Sequence, residues 1–159
     1  MNAVNQNSNQ IMLREMINLD VPVLVSLEKE IYPESPWSAA QFREELFGVP
    51  RTRKYLVATD QHKIVGYGGI AIAGDVADIH TLTVIPTYRR KGIATQMLHE
   101  LETWAKAKGI NSFMLEMREG NLEAQPLYEK HGYAVISRRD NYYAPGIHAL
   151  IMRKEPTNG

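Results

Sequence analysis

Val84-Ile85-Pro86-Thr87-Tyr88-Arg89-Arg90-Lys91-Gly92-Ile93-Ala94-Thr95 joins two patterned segments. Before it, Ala77 to Val84 is an alternating apolar run that reads as a strand. After it, Ile93 to Lys108 is amphipathic at helical spacing, with Ile93, Met97, Leu101 and Ala105 on one face and Gly109 as its terminator. Between strand and helix stand three consecutive cations and a glycine. A helix N-terminus presents unpaired N–H groups and a partial positive charge, so it attracts anions. Gly92 lets backbone approach a ligand closely, and Arg89, Arg90 and Lys91 add formal charge. The combination reads as a phosphate cradle. It is not a P-loop, because no Gly-Lys-Ser/Thr closes it, and a single glycine does not make a dinucleotide fingerprint.

The 159-residue chain is the length of one domain with a sizeable core. Its formal net charge is zero, so nothing global advertises nucleic-acid or membrane binding, and an anion site must be a local cluster. The absence of cysteine removes disulfides, thiolate metal ligands and a cysteine nucleophile. The five histidines show no metal-ligand spacing, so no metal site is expected. No apolar run is long enough to span a membrane. Residues 1–10 read as a disordered tail without a signal-peptide core, 11–154 as the folded domain and 155–159 as a loose C-terminal end. The cytoplasm is the expected compartment.

Outward from the cradle, Tyr55–Thr59, Ile64–Ile72 and Ala77–Val84 form a meander, with Asp60 to Lys63 and Gly74-Asp75 as turns. Ile11–Met16 is a further short strand. Asp20 is placed to cap a helix with Pro22 in its first turn, and Leu24, Leu27, Glu28 and Ile31 share a face of it. Ser38 and Gln41 make a capping box for the next helix, with Trp37 and Phe42 as its hydrophobic staple. Ile110–Met117 follows a strand and a crossover helix, so it is expected to run parallel to Ala77–Val84. A helix is expected over about Leu122–His131, capped by Asn121 and kinked or delayed by Pro126. Tyr133–Ser137 and Ile147–Arg153 close the chain as strands, with Arg138–Gly146 as a loop between them. The sum is an α/β domain, a mixed sheet of about seven strands with helices on both faces.

Glu116 is a carboxylate inside an apolar strand. It reads equally well as a structural ion pair, with Arg118 for instance, or as a base whose pKa is raised by partial desolvation. Tyr128 lies seven residues after Asn121, on the same side of the expected helix. A tyrosine there is usually core, but the cradle and Asn121 both follow the carboxyl ends of neighbouring parallel strands, where ligands collect. His80 lies on a strand that borders this cleft, and a satisfied structural histidine is the preferred reading. Tyr32, Trp37, Asn141, Tyr142 and Tyr143 fall in expected loops, where aromatics either line a recognition groove or simply pack.

Arg89-Arg90-Lys91-Gly92-Ile93-Ala94 resembles the Q/R-x-x-G-x-G/A motif of the GNAT superfamily of N-acetyltransferases. Asn121 followed by Leu127-Tyr128-Glu129-Lys130-His131-Gly132-Tyr133 is similar to that family's later motif, and the resemblance covers about Ile11 to Arg153. Pro36-Trp37-Ser38, Leu115-Glu116-Met117-Arg118 and Arg138-Arg139-Asp140-Asn141-Tyr142-Tyr143 together resemble the RimI-type branch, bacterial enzymes that acetylate the N-terminal alanine of ribosomal protein S18. The resemblance implies acetyl-CoA as co-substrate, without a metal. It implies that Leu82, Thr83 and Val84 meet the cofactor through main-chain groups, that Arg89, Arg90, Lys91, Gly92, Ile93, Ala94 and Thr95 hold its pyrophosphate, and that Asn121 and Tyr128 contact it. Glu116 would be the proton acceptor and Tyr128 the proton donor, with Tyr32, Trp37, Asn141, Tyr142 and Tyr143 at the acceptor. Branch members often carry Asn-Ile-Ala-Val where this chain has Thr81-Leu82-Thr83-Val84, which bears on acceptor positioning more than on main-chain contacts. The expected partner is the S18 N-terminus or a similar peptide, with no nucleic acid and no membrane. Two alternatives stand beside it: a GNAT enzyme for a small-molecule amine, and a non-catalytic acetyl-CoA-binding subunit, against which intact Glu116 and Tyr128 argue.

Overall fold

The computed structural model describes residues 10–156, and the two tails read from the sequence lie outside them apart from Gln10, Glu155 and Pro156. Strands β1 (Ile11–Glu15), β2 (Arg53–Asp60), β3 (Lys63–Ala73) and β4 (Val76–Val84) form the antiparallel meander that the turn residues dictate. Gln61 (φ 59°) and Gly74 (φ 68°) supply the positive dihedrals of the two tight turns. Successive strand side chains point to opposite faces, and both faces here are apolar. Tyr55 and Val57 join one core cluster while Leu56 and Ala58 join the other. Helices α1 (Val21–Ile31) and α2 (Ala39–Phe47) cover the first face through Leu24 and Phe42. Helix α3 (Ile93–Ala107) covers the second with the four residues that its periodicity selects, Ile93, Met97, Leu101 and Ala105, all buried.

After α3 the chain enters β5 (Ser112–Arg118), parallel to β4 as the crossover requires, then α4 (Ala124–Lys130), β6 (Ala134–Ala144) and β7 (Ile147–Lys154). The sheet has seven strands in the order β1-β2-β3-β4-β5-β7-β6, with helices on both faces. The expected fold class is borne out. The β4–β5 pairing runs from Val76↔Ser112 to Ile79↔Leu115 and stops there, so the strands part halfway along.

The Ser38–Gln41 capping box is present, with reciprocal hydrogen bonds of 3.2 and 2.9 Å, and Trp37 lies 5.2 Å from Phe42 as the staple. Three local expectations are corrected. Asp20 does not cap α1: its carboxylate accepts from the Ile17 N–H (2.8 Å) and from both Arg14 amino groups (2.9 and 2.8 Å), closing the turn before the helix. Helix α4 starts only at Ala124, because Asn121 Oδ1 accepts from the Glu123 and Ala124 amides and holds the entry as a turn. Pro126 then falls in the first turn and delays the helix rather than kinking it, so Asn121 and Tyr128 do not share a helical face. The expected loop Arg138–Gly146 is mostly strand: β6 carries Asn141, Tyr142 and Tyr143, with register shifts between Val135/Ser137 and Arg139/Ala144.

The Asp20 contacts give a stability prediction. Burial raises the Asp20 pKa, but hydrogen bonds from Arg14 and the Ile17 amide outweigh it and hold the group below its ordinary value. A depressed folded-state pKa means the unfolded chain binds protons first, so this stabilisation is complete above the usual carboxylate range and is lost as pH falls from there through the lower folded-state value. Asp20→Ala is expected to lower stability in urea unfolding by about 1–3 kcal/mol at neutral pH, because it leaves the Ile17 amide and Arg14 unpaired. The deficit should shrink in strong acid, where the protonated carboxyl still accepts the Ile17 N–H but no longer pairs with Arg14; a deficit constant with pH would refute this account.

Candidate active site

Where β4 and β5 part, two contiguous cavities open, of about 360 and 670 Å³. Tyr32, Leu82, Asn121 and Tyr128 line both and so mark the junction.

The smaller cavity is built on the α3 N-terminus. Gly92 is the N-cap, at φ 83°, with no side chain capping the helix. Its carbonyl accepts the Gln96 N–H, and the amides of the first turn are left for a ligand. A Cβ placed on Gly92 meets nothing within 4 Å, so the chain needs glycine there for its left-handed backbone, and the cavity for the space. Arg89 Nε donates to the Val84 carbonyl (2.9 Å), which ties the cradle to the end of β4. Tyr88 donates to Asp60 (2.5 Å) and anchors the turn to the β2–β3 hairpin. Arg89, Arg90, Gly92, Ile93, Ala94 and Thr95 line the cavity; Lys91 does not. Glu123, which sequence reasoning passed over, lines the opposite wall 3.9 Å from Arg89 and 3.3 Å from Arg90. Only its position immediately before the helix that carries Tyr128 hinted at it. Exposed cations with vacant helix amides fit a polyanionic cofactor arm.

The larger cavity faces α1 and α2. Glu116 lines it from β5, one residue beyond the last β4–β5 pair. It is exposed, so the desolvated base inferred from the apolar strand is corrected: strand alternation turns it into an open cavity, not a core. Nor does it pair with Arg118, whose guanidinium donates to Glu34 (2.9 Å) and Ser35 (2.6 Å) and lies between the rings of Tyr32 (5.0 Å) and Tyr143 (4.6 Å). Tyr142 stands at the rim, its pKa raised by the neighbouring Glu116 carboxylate and then by burial. Burial, with help from Glu116, pushes Tyr143 up to about 12. Asn141 is outside the cavity: its N–H donates to His148 Nδ1 (2.9 Å) and its Oδ1 accepts from Gly146 N–H (2.7 Å), so it shapes the hairpin that carries the tyrosines.

Tyr128 is only 6% exposed, and burial pushes its hydroxyl pKa up, with Tyr32 and Tyr143 adding to the shift. A phenol so held stays protonated and is available as a donor. Its ring meets Tyr133 edge-on at 5.8 Å, and Tyr133 donates to buried Glu102 (2.6 Å). Thr83 donates to the Thr81 carbonyl (3.0 Å), so the 2.9 Å bond to Tyr32 is donated by Tyr32. Three further residues stand in the wall. Glu28, 1% exposed, accepts from the Trp37 N–H (2.8 Å), Tyr67 (2.8 Å) and Thr81 (2.9 Å), pinning the α1–α2 loop to β3 and β4. A carboxylate on the apolar face of α1 was its visible signal. Arg139 lines the cavity from β6. His80, expected as structural, faces the cavity floor.

Residues 21–133 match the family model of the GNAT acetyltransferases. The chain belongs to the GNAT acetyltransferase family. As a GNAT member it is an acetyl-CoA-dependent acyltransferase, as the cradle motif implied. It is 32% identical over 141 residues, 88% of this chain and 92% of the relative, to a Bacillus subtilis (strain 168) protein that bears the provisional name ribosomal protein bS18-alanine N-acetyltransferase. It is also 32% identical over 158 residues to an uncharacterised protein of Mycobacterium leprae (strain TN), covering 96% of this chain but only 43% of that relative's length. The crystal structure of the ribosomal-protein-S18-alanine N-acetyltransferase from Escherichia coli shares the GNAT fold, with a TM-score of 0.80 at 23% identity over 94% of this chain and 97% of that one. Among the described residues no helix is long and apolar enough to cross a membrane, and no group of three or more His, Asp or Glu is placed to hold a metal ion.

Proposed function

We propose that this GNAT enzyme acetylates the α-amine of a peptide N-terminus, with the N-terminal alanine of ribosomal protein S18 as its acceptor in the cytoplasm. The observation that carries this is the joining of the cradle cavity to a wider one walled by aromatic residues, with Tyr128 at the junction. The name carried by the Bacillus subtilis relative supports the choice of acceptor.

Acetyl-CoA supplies an acetyl thioester, a carbonyl activated towards amines. Arg89, Arg90 and the first-turn amides of α3 hold the anionic arm of the cofactor. An α-amine with a pKa of about 7.7–8.0 arrives mostly protonated at neutral pH. Glu116 takes its proton, directly or through a water, and the freed amine attacks in a ternary complex. Backbone N–H near Val84 stabilises the carbonyl oxygen as charge develops on it. Tyr128 gives its proton to the departing thiolate. Tyr142, Tyr143, Trp37 and Tyr32 wall the peptide.

The test is acetylation of an Ala-starting S18 peptide followed by mass spectrometry. The acetyl group is expected on the α-amine, with internal lysines unmodified. Tyr142→Ala should raise peptide KM by about fivefold or more, as loss of an aromatic interface residue typically does, with acetyl-CoA affinity retained. Acetyl on lysine ε-amines, or turnover of free polyamines with none of the peptide, overturns the reading.

A further inference from the structure

Thr81 and Thr83 lie on the stretch of β4 that has left β5, and their hydroxyls take no part in the steps above. Thr81 lines the larger cavity, Thr83 the smaller, and Tyr32 both. Thr81 sits at φ 44°, a left-handed value that a β-branched residue seldom adopts. The partners that hold it there form a ladder. Thr81 Oγ1 donates to Glu28 Oε2 at 2.9 Å. Thr83 Oγ1 donates to the Thr81 carbonyl at 3.0 Å, and the Tyr32 hydroxyl meets Thr83 Oγ1 at 2.9 Å. The Arg118 guanidinium lies 5.0 Å from the centre of the Tyr32 ring and steadies it.

The ladder runs one way. A carboxylate and a carbonyl only accept, and each hydroxyl has one proton to give. Thr81 gives its proton to Glu28 and Thr83 gives its own to the Thr81 carbonyl, so the proton between Tyr32 and Thr83 comes from Tyr32. Burial holds the Tyr32 phenol above its ordinary pKa, so that proton is in place at neutral pH. The Tyr32 oxygen is left with lone pairs alone for whatever stands at the junction. Tyr128, at the same junction, keeps a proton to give.

Resting on the N-acetyltransferase reading above, we propose that Thr83, backed by Thr81 and Glu28, is a positioning residue that makes Tyr32 a hydrogen-bond acceptor for the incoming amine. A neutral amine has one lone pair, which must face the thioester carbonyl. A hydroxyl free to turn would donate to that lone pair and blunt the nucleophile. A hydroxyl already committed to Thr83 can only accept an N–H, which holds the nitrogen and leaves its lone pair free. The two phenols at the junction thus take opposite parts: Tyr32 accepts from the nucleophile and Tyr128 donates to the leaving sulfur. No proton moves along the ladder; it sets direction only.

Thr83→Val keeps the shape of the side chain and removes the hydroxyl. It is expected to lower kcat/KM for the acceptor by about fivefold or more, the scale of one lost hydrogen bond, while acetyl-CoA affinity stays within about twofold. Thr83→Ser should restore the rate. Because Thr83 acts through Tyr32, adding Thr83→Val to Tyr32→Phe should lower the rate no further. These kinetics use whichever amine the wild type acetylates. A second cycle needs no acceptor, so it stands even if the peptide reading fails: in urea unfolding, Tyr32→Phe and Thr83→Val combined should lose less stability than the sum of the two single losses. Additive stability losses show that no bond joins the two hydroxyls and overturn the proposal. So do wild-type kcat/KM in Thr83→Val, additive kinetic losses, or a fall in acetyl-CoA affinity that matches the fall in rate, which would make Thr83 a prop of the cofactor strand.

Discussion

Glu116→Gln is expected to lower kcat at neutral pH by about 100-fold or more, the usual scale for loss of a general base, while acetyl-CoA binds as before. The substitution keeps size and removes basicity. Because Glu116 is exposed and forms no ion pair among the described residues, no buried partner is stranded and stability should hold. The cradle is separate from it: Glu116 lines only the larger cavity. The deficit should narrow as pH rises, since more of the amine is then already neutral. Parallel pH–rate profiles with calorimetric acetyl-CoA titrations give the answer. Wild-type turnover in the variant would make Glu116 a wall residue and nothing more.

The second large effect belongs to Gly92→Val, expected to weaken acetyl-CoA binding by about tenfold or more. A left-handed conformation costs an ordinary residue about 1–2 kcal/mol, and a branched one is worse. The new side chain would also stand in the space before the first-turn amides, where the backbone now leaves room. Gly92→Ala should fall between the two, which separates backbone strain from steric blocking. Arg90→Ala is the milder comparison, because Arg90 is 82% exposed and its contribution is screened by salt. Calorimetry finding the same affinity in Gly92→Val as in the wild type would remove the cradle.

The cradle was legible because several local signals converge on it. A strand pattern stops, a basic turn follows, and a glycine stands where a helix must begin, so local chemistry alone sets the geometry. The meander and α3 were legible for the same reason, their apolar periods being unbroken. Strand β6 was not. It is an edge strand exposed along most of its length, so burial imposes no alternation, and Arg138, Arg139, Asp140 and Asn141 carry little strand propensity. The acceptor cavity was half legible. Tyr32, Trp37, Tyr142 and Tyr143 were named as wall residues and do line it, whereas Asn141 turned into the hairpin. Glu28 was seen only as one residue of a helix face, because its value lies in partners up to 53 residues away that no local pattern reveals. Glu116 was named for its position, on an argument from burial that the open cavity removes.

The short pairing of β4 with β5 has a mechanical meaning. Val76–Ile79 against Ser112–Leu115 is the backbone seam between the meander and the β5–β7–β6 half of the sheet; beyond it the two halves are held by side chains, through a shared core and the bonds of Glu102 to Tyr133 and Lys154. Both cavities lie where that seam has ended, so whatever fills them touches both halves of the sheet and adds contacts that the ladder lacks. Ligand occupancy and rigidity are thus one quantity, and the loaded protein should resist heat and exchange its seam amides more slowly than the empty one.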